Sequence, residues 1–139
     1  MINLFKKLKN KKNDSKIEYY YNNIVLLARN KRLYIQGGVP DTIDGRYELI
    51  ILHCHLFVNR LILSGSEEKA FAQKLINYMF RDFDRSLREI GVGDLSVGKK
   101  IKFMVSSYYG RANTYQKALN KNNEIIDMAL KNNLYGTIS

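Results

Sequence analysis

The sequence predicts an all-α protein, a single compact multi-helix domain built around a central hydrophobic helix hairpin. Apolar residues recur at spacings of three and four along most of the 139-residue chain, which is the period of an amphipathic helix. One Pro and nine Gly leave room for long helices. From Leu49 to Leu63, eleven of fifteen residues are Leu, Ile, Val, Phe or Cys, a run typical of a helix buried nearly all round.

The net charge of +10 is concentrated at the two ends of the chain. Residues 1–16 carry +5, residues 17–98 are neutral, and residues 99–139 carry another +5. Basic ends favour an anionic partner, such as a membrane surface, RNA or a ribosome. The alternative is a Lys-rich surface that serves only solubility.

Residues 1–15 are interpreted as a basic arm, either flexible or amphipathic. Apolar side chains stand among five lysines and could form a short stripe that lies on an anionic bilayer. This stripe comprises Ile2, Leu4, Phe5 and Leu8. The arm has no apolar core of the kind a secretory signal needs, and no stretch of the chain is apolar enough to be expected to span a membrane.

The all-helical domain is predicted over residues 16–135, followed by a tail at 136–139. Its first helix is expected from about Lys16 to Asn30, capped by Ser15 or Asp14. A short helical turn follows at 31–37, and then a structured turn. Its predicted turn residues are Gly38, Pro40, Asp41 and Gly45. The spacing of these glycines fits no phosphate-binding fingerprint.

The central hairpin is predicted from two helices, about Arg46–Leu63 and Glu67–Ile90, joined by a connection so short that they must pack antiparallel. Ser64 or Ser66 is expected to cap the second helix. The first helix carries the only two histidines, His53 and His55. Residues two apart on a helix point about 200° apart, so this pair is a poor metal site, and we expect neither a metal nor a cofactor.

A charged stretch, Phe80–Gly98, ends the second helix of the hairpin. Its seven charged residues are Arg81, Asp82, Asp84, Arg85, Arg88, Glu89 and Asp94. Their spacing predicts the ion pairs Asp84–Arg88, Arg85–Glu89 and Arg81–Asp84. The stretch is interpreted either as a partner-binding surface or as an ion-pair network that only holds the corner together.

Further helices are predicted at Val97–Tyr109, Arg111–Asn120 and Asn122–Asn133. The first of them begins with a basic face formed by Lys99, Lys100 and Lys102, which we add to the candidate partner-binding residues. The glycines of this region are predicted to stop helices or turn the chain. They are Gly91, Gly93, Gly98 and Gly110.

Four motifs resemble a known family, the ubiquinol–cytochrome c reductase chaperones, over about residues 20–119. They are IVLLAR (Ile24–Arg29), GVPDTIDGRYELIILH (Gly38–His53), MFRDFDRSLREIGVGDLSVGKKIK (Met79–Lys102) and YYGRANTYQKAL (Tyr108–Leu119). The turns Gly-Val-Pro-Asp-Thr and Gly-Val-Gly-Asp-Leu carry the most information.

The resemblance implies an all-helical, non-enzymatic assembly factor for newly made cytochrome b of the bc1 complex. Mitochondrial members of that family act near the ribosomal exit and work with a small partner protein. Without a long N-terminal extension, this chain resembles the short bacterial form. That form implies a cytoplasmic protein, peripheral at the cytoplasmic face of the inner membrane. The alternative hypothesis is a basic ribosome- or RNA-binding helical module; no DNA partner is expected.

Overall fold

A computed structural model describes residues 2–120 and 123–135 of the chain. Six helices account for these residues. They are α1 (Ile2–Ala28), α2 (Lys31–Ile35), α3 (Ile43–Ile62), α4 (Ser66–Glu89), α5 (Asp94–Asn120) and α6 (Asn123–Asn133). The all-α prediction is therefore confirmed, whereas the predicted tail at 136–139 lies outside the described residues.

The basic arm and the first predicted helix form one continuous helix, α1. The helix start predicted at Lys16 is wrong, because neither Gly nor Pro occurs between residues 2 and 28 to interrupt the helix. Ser15 does not cap a helix; its hydroxyl donates a hydrogen bond of 3.2 Å to the Lys11 carbonyl within α1. Residues 3–12 are exposed, and the buried face of α1 begins at Ile17.

The chain between α2 and α3 is a tight turn with specific side-chain requirements. Thr42 caps α3, its hydroxyl accepting a 3.1 Å hydrogen bond from the Gly45 amide. A Cβ on Gly45 would overlap the Pro40 carbonyl oxygen, so only glycine fits in this first turn of α3. Gly45 thus lies in the helix rather than in the predicted turn.

Helices α3 and α4 form the predicted antiparallel hairpin and carry most of the core. Tyr47, early in α3, stacks on Phe83, late in α4, with ring centroids 4.2 Å apart. Cys54, Leu75 and Met79 are fully buried between them. The serine caps predicted for α4 are wrong: Gly65 occupies the cap position without a side-chain bond, and Ser64 donates to the Arg60 carbonyl.

A short corner joins α4 to α5. Gly91 adopts φ 93°, the Gly91 amide donates to the Arg88 carbonyl, and the Val92 amide donates to the Leu87 carbonyl. These two bonds define a Schellman motif, in which a residue with positive φ closes the helix end. Backbone hydrogen bonds at Gly91 and Val92 therefore terminate α4.

Helix α5 is continuous, so the break predicted at Gly110 is wrong, and Gly98 also lies inside the helix. A single helical glycine costs only about 1 kcal/mol, and the buried side chains of Tyr108 and Tyr115 on either side of Gly110 offset it. Beyond Gly110, α5 and α6 build a second small core from Tyr115, Ala118 and Ala129.

Within 2–120 and 123–135, no helix is both long and apolar enough to cross a membrane.

Candidate functional site

The charged face of α4 is organised around Asp82. One Asp82 oxygen accepts a 2.6 Å hydrogen bond from the Tyr21 hydroxyl of α1, and the other accepts a 2.8 Å bond from Arg85. Burial, reinforced by the Asp82 carboxylate, raises the pKa of Tyr21, so its hydroxyl stays protonated as a donor. Asp82 therefore ties α1 to α4 while its partner Arg85 remains exposed.

Arg88 connects the end of α4 to the start of α5. Its side chain bonds Asp84 at 2.7 Å, as the spacing predicts, and also contacts Asp94 across the Gly91 corner. The hydrogen bond to Asp84 is the main cause that raises the pKa of Arg88. This cluster brings Asp84, Arg88 and Asp94 together on one surface.

Other charged candidates are arranged differently from the prediction. Arg85 pairs with Asp82 rather than with Glu89, and Arg81 lies over the Tyr78 ring at 5.9 Å rather than beside Asp84. The ion pairs Arg85–Glu89 and Arg81–Asp84 are therefore wrong. In both cases another group competes: the half-buried Asp82 carboxylate is a better partner for Arg85, and the aromatic face attracts the Arg81 cation.

The three lysines at the start of α5 do not share one environment. Lys100 turns toward α3 and pairs with Asp44 at 3.3 Å, whereas Lys99 and Lys102 are exposed on α5. Lys100 therefore joins α5 to the first turn of α3.

A groove of about 690 Å³ borders the charged face. It lies between the C-terminal end of α1, α2 with the following turn, the start of α3, and the end of α4. Asp82, Ser86 and Ile90 supply the α4 wall, and Tyr47 and Ile50 of α3 line the bottom. The remaining lining residues are Val25, Ala28, Arg29, Lys31, Tyr34, Ile35, Asp41, Ile43 and Arg46.

The rim of this groove is both apolar and cationic. The side chains of Ile35 and Ile90 are 79% and 54% exposed, although isoleucine is normally buried. Arg29 and Lys31 stand beside them, while Arg46 is held by Asp41 at 2.7 Å. A surface of this kind can bind an apolar segment and also contact its polar flanks.

A family model described as ubiquinol-cytochrome C chaperone matches residues 36–139. The chain belongs to the ubiquinol–cytochrome c chaperone family. The crystal structure of the Cbp3 homolog from Brucella abortus is also similar, with 37% sequence identity and a TM-score of 0.83. That similarity covers 100% of this chain and 77% of the other. No curated protein matches the chain significantly.

These findings confirm the resemblance drawn from the four motifs, and neither one supports the alternative of an RNA-binding module. In this chaperone-family member, the two most informative motifs lie at the groove or beside it. The Gly-Val-Pro-Asp-Thr motif forms one wall through Asp41. The Gly-Val-Gly-Asp-Leu motif directly follows Ile90 of the opposite wall.

The groove residues Arg29, Lys31, Ile35 and Ile90 were not selected from the sequence. Helical spacing places Ile90 on the apolar face of α4, which favours burial, and Ile35 is only one apolar residue in a short helical turn. One signal was available for the two isoleucines, because Ile35 and Ile90 lie just before the two informative turns.

A second cluster that the sequence did not reveal is buried between α3, α5 and α6. Glu48 of α3 bonds Arg111 of α5 at 2.8 Å, and Glu48 is only 6% exposed. Burial outweighs the guanidinium and raises the pKa of Glu48 to about 7. His55 lies about two turns further along the same face of α3. Its ring lies against Tyr115, with ring centroids 5.9 Å apart, and burial lowers its pKa.

Several polar atoms of this buried cluster lack a hydrogen-bond partner within the described part of the chain. They are Glu48 Oε2, both ring nitrogens of His55 and Arg111 Nη1. His53 differs from His55, since its Nδ1 lies 2.8 Å from the Leu49 carbonyl. Across residues 2–120 and 123–135, no three His, Cys, Asp or Glu side chains are placed to hold a metal ion.

Proposed function

We propose that the chain is a non-enzymatic chaperone that holds newly made cytochrome b during assembly of the bc1 complex. The observation that carries this proposal is the groove between α1, α2, α3 and α4, where exposed isoleucines and cations stand together. Family membership supplies the client class, and the groove supplies a surface suited to it.

The apolar part of the groove suits a client that is itself a membrane protein. A newly made transmembrane segment exposes apolar side chains that must be covered until the segment is inserted. Ile35, Ile43 and Ile90 offer apolar contacts around an opening whose base is closed by Tyr47 and Ile50. A groove of this size accommodates part of one helix or loop rather than a complete spanning segment.

The charged part of the groove suits the ends of such a segment. Arg29 and Lys31 can contact acidic side chains or the free carbonyl groups at a helix C-terminus. On the opposite wall, Asp82 is held in place by Tyr21 and Arg85. The charged face predicted from the sequence thus borders the proposed client site, with Asp82 in the wall and the Arg88 cluster supporting the corner.

Binding, rather than catalysis, is the function that these side chains favour. Cys54 is fully buried, and burial raises the pKa of its thiol to about 12, which keeps it from acting as a thiolate. Both histidines lie on α3, and the buried one, His55, contacts Tyr115 rather than a nucleophile. The partners proposed beyond cytochrome b are the ribosome and a small partner protein, at the cytoplasmic face of the membrane.

The client site is tested with substitutions that place a charge in the groove without disturbing the core. We expect Ile35→Asp and Ile90→Asp to reduce co-purification of newly made cytochrome b about tenfold or more, as loss of an interface anchor does. Phe103→Asp on α5 is the matched control, because Phe103 is 66% exposed and does not line the groove. If all three variants captured cytochrome b equally well, the groove would not be the client site.

The role in assembly is tested in cells by deleting the protein and measuring assembled bc1 complex beside other respiratory complexes. We expect a selective loss of bc1, restored by the wild-type chain and by Phe103→Asp. Normal bc1 levels in the deletion strain would contradict the proposed function as a whole.

Reversal of charge at Arg85 and Arg88 tests whether the charged face binds a partner or only holds the corner together. A lower Tm with unchanged capture of cytochrome b would assign the charged face a structural role.

A further inference from the structure

We propose that the outward face of α1 docks onto an anionic lipid bilayer and holds the domain at the membrane. This face is defined as Leu4, Phe5, Leu8, Tyr19 and Leu26. All five side chains are exposed, and Leu4, Phe5 and Leu8 are between 56% and 68% exposed. The inference uses α1 alone and does not depend on which client the groove binds.

The geometry of α1 places these apolar side chains on the side opposite the core. Leu8 and Leu26 are eighteen residues apart, which is about five full helical turns, so they point in the same direction. Ile17 lies nine residues from each of them, about two and a half turns, and it is buried against the domain. The outward face is therefore about 180° from the packed face.

The lysines of α1 are distributed as an interfacial helix requires. Lys7 and Lys9 lie about 100° to either side of Leu8, and Lys11 and Lys12 lie within about 60° of it. Their long apolar stems can cover the stripe while the ammonium groups reach the headgroup layer. Residues 1–16 carry six Lys against one Asp, so the surface that matches them is negatively charged.

The N-terminal half of α1 is free to make this contact. Residues 3–12 are exposed, and about 22 Å of helix extends before the first buried residue, Ile17. None of the lysines between residues 6 and 16 forms an ion pair with another described residue. Both the apolar side chains and the charges are thus available to one flat partner that spans the length of the helix.

A bilayer explains both features of this face better than a nucleic acid does. RNA would use the lysines but leaves Leu4, Phe5 and Leu8 without a role. Interfacial helices use both: apolar side chains enter the boundary of the acyl chains, and each lysine near an anionic surface strengthens binding about fivefold. The groove lies at the far end of α1, beside Ala28 and Arg29, so a client held there would stay close to the membrane surface.

The experiment is co-flotation of the full chain with vesicles of phosphatidylcholine alone or of phosphatidylcholine with phosphatidylglycerol. We expect binding to the anionic vesicles, little to the neutral ones, and weaker binding as salt is raised. Leu4→Ser/Phe5→Ser/Leu8→Ser and Lys7→Gln/Lys9→Gln/Lys11→Gln/Lys12→Gln are each expected to lower binding more than tenfold. Leu95→Ser/Phe103→Ser on α5 is the matched control, with 84% and 66% exposed side chains, and should bind as wild type does.

Each other outcome overturns the inference. If the serine triple variant bound anionic vesicles as the wild type does, the apolar side chains would have no role. The lysines alone would then bind any polyanion, RNA among them. If the chain bound neutral and anionic vesicles equally, the lysines would have no role. If the α5 control lost as much binding as the α1 variants, the contact would not be specific to this face. A chain that sediments as a dimer through α1 and ignores vesicles would assign the face to a second copy. Circular dichroism of every variant checks that the helices remain, and the cytochrome b capture assay is independent of all these results.

Discussion

Two regions of the molecule, the α3–α4 hairpin and the C-terminal unit, are each held in place by different chemistry. The α3–α4 hairpin is joined by apolar and aromatic packing, centred on Phe83 stacked against Tyr47. The C-terminal unit, defined as residues 110–120 of α5 together with α6, contacts α3 through the buried Glu48–Arg111 ion pair and His55. Apolar packing is favourable whatever the pH, whereas a buried ionisable cluster costs desolvation and depends on protonation.

The difference indicates that the two regions do not have equal stability. The hairpin forms the base of the groove that we propose as the client site. Among its described residues, the C-terminal unit has a small buried core formed by Tyr115, Ala118 and Ala129. A 2.6 Å hydrogen bond from the Tyr135 hydroxyl to the Gly37 carbonyl supplements it. We therefore expect amides of α5 beyond Gly110 to exchange with solvent at a lower free energy than those of α3.

The largest effect is expected for Phe83→Ala. Phe83 is fully buried, so truncation removes aromatic packing and leaves a cavity, at a cost of about 3–5 kcal/mol in the free energy of unfolding. Urea denaturation followed by circular dichroism measures it, with the exposed Phe103→Ala as the control. If the two variants unfolded at the same urea concentration, the hairpin would not be the dominant core.

The next largest effect is expected for Arg111→Ala, which leaves Glu48 buried beside no guanidinium. At about pH 8, where Glu48 of the wild type is ionised and paired with Arg111, we expect a loss of about 3 kcal/mol. The loss should be smaller at about pH 5.5, because burial raises the pKa of Glu48 to about 7 and the carboxyl can then stay neutral. A loss that is equal at both pH values would contradict the raised pKa.

Comparison of the wild type with Glu48→Gln isolates the pH dependence of the polar cluster. The pKa of Glu48 is raised from 4.5 to about 7 by burial, with Asp44 adding to the shift and Arg111 opposing it. Because the folded state holds the proton more tightly, stability from this group is complete below about pH 4.5 and is lost as pH rises to about 7. The free energy lost by pH 7 should be about 3 kcal/mol, because one pKa unit corresponds to about 1.4 kcal/mol.

His55 contributes with the opposite sign in an overlapping window. Its pKa is lowered by burial, so the stability it confers is lost as pH falls below its ordinary value of 6.5. Denaturation of the wild type alone would therefore show a partly cancelled profile. The difference between wild type and Glu48→Gln removes the His55 contribution, and a flat difference from about pH 4.5 to pH 7 would contradict the prediction.

The sequence predicted the hairpin well and the polar cluster not at all, for one physical reason. Helical periodicity reports which face of one helix is apolar. In α4 the spacing of Leu75, Met79 and Phe83 puts them on one such face, and all three are fully buried. Glu48 and Arg111 are 63 residues apart, and no local pattern marks a charge that finds its partner on a distant helix. For the same reason Ile35 and Ile90 were not predicted as site residues: they are 55 residues apart in the chain and line one groove only in the folded structure.

The smallest effect concerns Gly110, at the boundary between the two regions. Because α5 is continuous there and a Cβ on Gly110 would meet no atom, Gly110→Ala should stabilise the chain by about 0.5–1 kcal/mol. The same change at Gly91, with φ 93°, should instead destabilise it by about 1–2 kcal/mol. Urea denaturation compares the two, and hydrogen exchange in α6 shows which region gains. A Gly110→Ala variant that unfolded at a lower urea concentration than the wild type would contradict the prediction.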